Sequence, residues 1–478
     1  MRALLAFTGS RGDAQPGILL ARALIARGHE VTLALAPNLV GFATGHGVPA
    51  VPFGCDSAAL LRAQRADSRF GSRDPRARWR ALLDLQRRGV PESMADLREL
   101  VPGHDVVVAG MAGEEAAAVV AREAGVPLAS VHFFPIQPNS VVPVVPARWA
   151  ERVPGAVHRW GWSVLARARA AALAPVLPAG EPTARVRFQV PPADESAARV
   201  RIQAYDPALF PGLRDELPGP FTGFPVDVDG FLAAATDFAQ SGGVSGEPAD
   251  FGADGDFGSP DNRSGASSPG MRVRPIRRVE ETTSATSQPH AATNLRQWLA
   301  AGSAPIYVGF GSMDVGDPAE FVAMIRAVCA RRGRRLLLAS GWAAITPGID
   351  AEVAVVDHVD HAEVLPRCVA AVHHGGAGTT AAALRAGVPQ VICSVQADQP
   401  YWGQALQRLG LAATVPAAAL TGSRLDTLLD RISTSEVRRR AAAYAAGFTT
   451  DGVERAADAV ETLAPVTPEL IDAAGRLP

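Results

Sequence analysis

No lysine occurs anywhere in the chain. That absence removes P-loop nucleotide hydrolases, whose lysine sits on the phosphates, and enzymes that form a Schiff base through a lysine amine. Every basic side chain is an arginine or a histidine. Cysteine is scarce: Cys55, Cys329, Cys368 and Cys393 are far apart, lack the Cys-x-x-Cys spacing of a zinc or redox site, and read as buried free thiols. Long apolar runs are missing as well. No window approaches the ~18 uninterrupted apolar residues of a membrane span, and "MRALLAFTGSRGDAQPG" meets a Gly-Asp turn too early for a signal peptide, so the expected location is the cytoplasm. Neither sign of charge is in large excess. The formal net charge of -2 gives no footprint for nucleic acid, whose binding rests on clustered Lys and Arg.

What is present is length and apolar content: 478 residues, 47% hydrophobic, enough for two or three domains with a core each. Residues 2–8, "RALLAFT", end in the polar turn "GSRGDAQP", followed by the amphipathic "GILLARALIARGHE" and then "VTLALAP". That order reads as strand, loop, helix, strand. The unit recurs as "DVVVAG" (105–110), helical "EEAAAVVAREAG" and "PLASVHFF". A second series opens with "PIYVGFGSM" (305–313) and runs through helical "AEFVAMIRAVCARRG", the strands "RRLLLASGW" and "VAVVDHV", "VAAVHHGG" with a helix after it, and the strand "PQVICSV". The reading is an α/β chain with two parallel-sheet domains. The predicted divisions are a first domain over 1–235, a linker over 236–294, a second domain over 295–460 and a tail over 461–478. The linker is rich in Gly, Ser, Pro and Asp and cannot bury enough apolar surface to offset its ordering entropy, so it is expected to be disordered. A docking role for its Arg272, Arg274, Arg277 and Arg278 is the other reading.

The turn at 9–12, "GSRG", stands where a dinucleotide enzyme would carry Gly-x-Gly-x-x-Gly, but it has no third glycine, and Ala36-Pro37 replace the ribose-binding acid after the second strand. A nicotinamide enzyme is therefore disfavoured. The turn does offer Asp13, a carboxylate at the C-terminal edge of the first strand, where open α/β sheets bind ligands. Its plainer reading is a helix N-cap. In "HHGGAGTTAAALRAG", His373 to Gly387, the small residues Gly375, Gly376, Ala377 and Gly378 let a ligand approach the backbone N–H groups of a helix start, a ready anion site. His374, Thr379 and Thr380 can add donors; the plainer reading is a tight turn packed on glycine. Asp398-Gln399, after the next strand, suits vicinal hydroxyls of a sugar, or is a surface turn. Ser312 and Trp342 fall at strand ends of the same sheet, the indole offering a face to a planar base. "DVD" at 227–229 and "DGD" at 254–256 follow no sheet strand, and "DHVDH" (357–361) shows no complete ligand set, so no metal is predicted.

"SRGDAQP", "FGSM", "VDHVDHAEVLPR" and "HHGGAGTTAAALRAGVPQVICSVQADQPYWGQ" together resemble the family-1 nucleotide-sugar glycosyltransferases of the GT-B fold, in the branch of bacterial glycopeptide, macrolide and glycolipid glycosyltransferases and sterol glucosyltransferases. The resemblance is strongest over 305–411 and 1–50 and fades between about 55 and 235. It implies two Rossmann-like domains facing across a cleft, the first binding the acceptor and the second a UDP- or dTDP-sugar. It implies that His374, Gly375, Gly376, Gly378 and Thr379 hold the diphosphate with Ser312, that Trp342, His358 and Val359 hold base and ribose, and that Asp398 and Gln399 hold the sugar. Asp13 matches the catalytic base. Ser10, Met111, His132, Phe133 and Phe134 fall on the acceptor side. One departure is Gly376, where many relatives have serine.

The activity implied is metal-independent inverting transfer to a hydroxyl of a lipophilic small molecule, with no cofactor beyond the nucleotide-sugar co-substrate. The partners expected are that donor and that acceptor. The chain is expected to be a monomer or a homodimer, with peripheral membrane contact left open. A nucleotide-sugar epimerase of the same fold and a non-catalytic auxiliary of another glycosyltransferase are the rival readings.

Overall fold

The computed structural model describes residues 1–72, 74–172, 199–227, 289–311, 317–341 and 345–463. Most of the expected linker and the tail beyond 463 lie outside these residues, as do Asp229 and the "DGD" motif.

The first domain is a six-stranded parallel sheet in the order β3-β2-β1-β4-β5-β6, with β1 Arg2–Phe7, β2 Glu30–Leu35, β3 Ala50–Pro52, β4 Val106–Gly110, β5 Leu128–His132 and β6 Arg199–Gln203. Helices α1 (Arg11–Ala26), α2 (Pro37–Gly45), α3 (Ser57–Ala66), α4 (Pro75–Arg87), α5 (Val90–Leu100), α6 (Glu114–Ala124) and α7 (Gly155–Ala172) intervene or follow. The second domain begins with α8 (Pro289–Ala301). Its seven-stranded sheet has the order β13-β12-β11-β7-β8-β10-β9. These strands are β7 Ile306–Gly309, β8 Leu336–Ala339, β9 Gly348–Ile349, β10 Val353–Val356, β11 Ala370–His373, β12 Gln390–Ser394 and β13 Ala412–Pro416. Only β9 runs antiparallel to its neighbour. Between and after them lie α9 (Pro318–Arg331), α10 (His361–Val364), α11 (Ala377–Arg385), α12 (Gln399–Arg408), α13 (Gly422–Ile432), α14 (Ser435–Ala446) and α15 (Gly452–Glu461).

The central strands read as unbroken apolar runs because each sheet is covered on both faces. Leu5, Val106 and Val108 face a cluster with Ile18 and Leu24 of α1, while Leu4 and Val107 face α5 and α6. Strand order reverses between β1 and β4 in one sheet and between β7 and β11 in the other. Open sheets bind ligands at such switch points. Three of the cysteines are buried as expected, but Cys55 is only partly covered.

Two features were not foreseen. An aromatic core joins the domains: Phe134, Trp162, Tyr205 and Phe210 of the first domain pack with the fully buried Trp402 of α12. And α15, placed by the sequence reading within the second domain's span, crosses back to the first. Its Ala456, Ala457 and Val460 join the α1 cluster. Arg27 pairs with Glu454, Asp458 and Glu461 at 2.6, 2.7 and 3.0 Å. The outgoing and returning chain segments touch. Phe224 stacks on Phe448 with ring centroids 6.3 Å apart, and a Cβ on Gly452 would lie 2.5 Å from the Phe224 carbonyl oxygen.

Candidate active site

The turn after β11 explains its two histidines by giving them different work. His373 is fully buried. Its Nδ1 accepts from the Gly375 N–H at 3.1 Å, so Nε2 carries the proton and donates to Gln390 Oε1 at 2.9 Å. Burial lowers its pKa to about 3, which keeps it neutral. Gly375 then takes φ 91°, and a Cβ there would lie 2.6 Å from Ile392 Cγ2. Only glycine fits that combination. The chain enters α11 with Gly376 as N-cap and no side chain capping it. The first N–H groups of α11 are therefore open at the positive end of the helix. Gly378 is exposed with nothing against the space a Cβ would fill, and Thr379 is half-buried beside it.

His374 borders this opening. Burial lowers its pKa to about 4, so at neutral pH it is an uncharged donor rather than a cation. A Cβ on Gly376 would lie 2.5 Å from His374 Nε2. A serine at 376 would require the ring to move from this position. The turns after β7 and β8 meet alongside: a Cβ on Gly341 would lie 2.2 Å from the Gly311 carbonyl oxygen. Ser312 and Trp342, next in the chain, lie outside the described residues. His358 is exposed, and Val359 rests partly buried on the core under α10.

Asp398 and Gln399 start α12. Trp402 Nε1 donates to Asp398 Oδ2 at 2.7 Å, which fixes the carboxylate to the interdomain core. Gln399 Oε1 accepts from the Val395 and Gln396 N–H groups at 2.8 and 3.1 Å, so its oxygen shapes its own turn. Burial raises the pKa of Asp398.

On the first domain, Ser10 caps α1 and Asp13 occupies the third helical position. Asp13 Oδ2 accepts from Ser10 N at 2.9 Å and from Ser10 Oγ at 3.2 Å. The capping reading thus has real content, though the cap residue is Ser10. Gly9, at φ 116°, is held to glycine by Asp13: a Cβ there would lie 2.4 Å from Oδ2. The pKa of Asp13 is raised to about 6, chiefly by burial and further by the charge of Asp398 in the other domain, against the hydrogen bonds from Ser10. The charge of Asp398 thus reaches Asp13 from the second domain.

Sequence reasoning passed over Arg11. From the first domain it reaches the second, with Nη1 3.4 Å from His358 Nδ1 and the guanidinium 4.5 Å from the Phe42 ring centroid. Its charge also helps lower the pKa of His361 to about 4, after burial. The signal was available: in a chain without lysine, an arginine two residues before the candidate base is the nearest fixed cation. Tyr307, bonded through its hydroxyl to His361 at 2.8 Å, was missed too, since it lies inside a strand.

Of the expected acceptor residues, His132, Phe133 and Phe134 are buried. His132 is fully buried and its Nε2 is 2.9 Å from Glu114 Oε2. Burial would raise Glu114, but His132, Arg201 and Arg199 hold its pKa well below the usual range. This buried acid at the start of α6 claims the histidine, and no bond joins His132 to Asp13 among the described residues. Phe133 packs into the first domain's core and Phe134 into the interdomain core. Ser10 and Met111 remain partly open at the strand edge. No group of three or more His, Cys, Asp or Glu is placed to hold a metal among the described residues. In "DHVDH", Asp360 caps α10 and His361 is tied to Tyr307.

Two largely parallel sheets, each with a switch point, an open helix N-terminus beside one and a raised carboxylate beside the other, make up a two-domain α/β frame of the GT-B kind. Residues 341–450 match the C-terminal domain of the erythromycin biosynthesis protein CIII-like family. A glycosyltransferase of Mycobacterium tuberculosis is 34% identical over 86% of this chain and 85% of that protein. Vancomycin aglycone glucosyltransferase of Amycolatopsis orientalis is 28% identical over 96% of each. The fold is that of the Streptomyces glycosyltransferase SsfS6 crystallised with thymidine diphosphate, with a TM-score of 0.54, 20% identity, and coverage of 96% of this chain and 98% of that one. The chain belongs to the family-1 GT-B glycosyltransferases related to the macrolide and glycopeptide enzymes.

Proposed function

We propose that the protein transfers a hexose or deoxyhexose from a UDP- or dTDP-sugar to a hydroxyl of a lipophilic small molecule, with inversion and without a metal. The first domain takes the acceptor and the second the donor. The observation that carries this reading is a pair of fixed groups at strand edges of the two sheets, Asp13 held by Ser10 and Asp398 held by Trp402, with the uncapped start of α11 beside the second. Ser10 occupies Asp13 Oδ2, which leaves Oδ1 to remove the proton from the acceptor hydroxyl. The acceptor oxygen bonds to the anomeric carbon from the side opposite the diphosphate. The bond from that carbon to the diphosphate oxygen breaks, and its electron pair goes to the leaving group. Open N–H groups of α11, the His374 donor and the permanent charge of Arg11 stabilise that developing anion. Asp398 and Gln399 orient the sugar, and His358 and Val359 flank the nucleoside. An acid raised to about 6 is ionised at neutral pH yet basic enough to take a proton.

The first test is thermal stability with UDP, dTDP and GDP, each in EDTA and in Mg²⁺, because a ligand that binds only the folded state raises the midpoint. A shift with UDP or dTDP that is the same in EDTA is expected. A shift that needs Mg²⁺ would overturn the metal-independent reading, and no shift with any of them would overturn the donor site. Incubation with donor alone, followed by sugar analysis, separates transfer from epimerisation.

A further inference from the structure

Among the described residues, four of the seven exposed large apolar side chains, and both tryptophans among them, lie within one short stretch: Val145, Trp149, Val157 and Trp160 are 43, 62, 46 and 66% exposed, while Ile25, Ile349 and Val395 stand apart. Trp149 belongs to a single turn of helix, Arg148–Arg152, just before α7, and Val157 and Trp160 stand one turn apart on α7 itself. His158 Nε2 bonds the Ala150 carbonyl at 3.0 Å and holds the two pieces side by side. Trp162, by contrast, is buried and donates from Nε1 to the Val142 carbonyl at 2.8 Å. The helix thus uses one tryptophan as an anchor and shows the other to solvent.

Charge is concentrated in the same place. Between 145 and 172 the sequence has five arginines and one acid, Glu151, in a chain whose formal net charge is -2. Glu151 is paired with Arg408 at 3.0 Å. Arg152, Arg159 and Arg167 are exposed, Arg159 pairing with Glu216 at 3.1 Å.

We propose that this surface docks on a lipid bilayer carrying anionic headgroups. Exposed indoles settle at the level of the headgroups, their apolar body inward and their N–H toward water, while neighbouring arginines draw in negative lipid. A second copy of the chain fits less well, since a symmetric contact would set the same arginine-rich face against itself. The position gives the docking a use. The loop that carries Val144 and Val145 receives a hydrogen bond from Tyr401 of α12 to the Val144 carbonyl at 2.8 Å, so the surface adjoins the helix that begins at Asp398. Resting on the proposed function, a lipophilic acceptor would pass from the bilayer into the cleft without crossing water.

Flotation of the full chain with phosphatidylcholine vesicles, with and without phosphatidylglycerol, tests the surface directly and needs no turnover. Binding to the anionic vesicles is expected, weakened by salt, and reduced about tenfold by Trp149→Ser combined with Trp160→Ser, whose exposed side chains leave the thermal midpoint unchanged. Arg152→Gln with Arg167→Gln should lower binding to the anionic vesicles alone. No flotation, or flotation indifferent to the tryptophan pair, overturns the proposal whatever the enzyme does with a soluble acceptor. A dimer in sedimentation velocity that the tryptophan variant abolishes also overturns it, and assigns the face to a second copy.

Discussion

The turn after β1 and the turn after β11 each follow a strand that borders the switch point of its sheet, and they do opposite things there. Each leaves a strand at the point where the sheet reverses order and opens a helix within a few residues. In the first, Asp13 folds back to cap its own helix start through Ser10, so a carboxylate faces the cleft. In the second, no side chain caps α11, and the N–H groups themselves face the cleft. One turn presents a carboxylate that gives up its negative charge when it takes a proton; the other presents fixed positive ends and a neutral imidazole. The difference teaches that the strand-turn-helix unit sets a location, and that capping decides which sign of charge the location serves.

Asp13→Asn should break the comparison most severely. It keeps the cap geometry, since the amide oxygen still accepts from Ser10, but removes the base, and turnover should fall by about 10³ with nucleotide affinity nearly unchanged. Steady-state rates alongside calorimetric titration with UDP or dTDP read both halves. An equal loss in affinity would place Asp13 in the donor site instead.

The same substitution has a stability signature. The pKa of Asp13 rises from 3.8 to about 6 on folding, so between those values the folded state holds more protons than the unfolded state. Stability from this group is intact below about pH 4, declines as pH rises through about 6, and stays lower above it. Asp13→Asn should therefore be more stable than the parent at pH 8 by about 1–3 kcal/mol and no different near pH 4, as urea melts at the two pH values would report.

His374→Ala acts on the other turn. Loss of one neutral donor should weaken UDP or dTDP binding about tenfold, by titration, and leave the acid limb of the rate profile in place. Asp398→Asn gives the smallest and most telling effect. With the facing charge gone, the acid limb of kcat/KM, expected near pH 6, should move to lower pH. A limb that does not move would mean that the two carboxylates are apart when the enzyme turns over.

Much of this was legible in advance, and what escaped has physical causes. "ALLAF", "VVVAG", "LLLA" and "QVICS" announce buried parallel strands by unbroken apolar runs, and β1, β4, β8 and β12 fall there. β6 and β13, "RVRIQ" and "AATVP", offer too few apolar positions to stand out from a loop. The glycines of the β11 turn were read as room for a ligand, but the division of labour between His373 and His374 depends on Gln390, distant in sequence. The burial of His132, Phe133 and Phe134 was hidden for a related reason. "VHFF" has the composition of a pocket wall and of a core alike, and only Glu114 and the aromatic cluster around Trp402 decide in favour of the core.

The double crossing between domains has a mechanical consequence. The chain leaves the first domain past Phe224 and returns past Phe448 and Gly452, and these two strands of chain lie against each other with their rings stacked. The return also carries α15 back onto the first domain, where its Ala456, Ala457 and Val460 are buried and its acids hold Arg27. The last helix of the described chain therefore acts as a strap: together with the aromatic core around Trp402, it fastens the domain that carries Asp13 to the domain that carries the α11 turn.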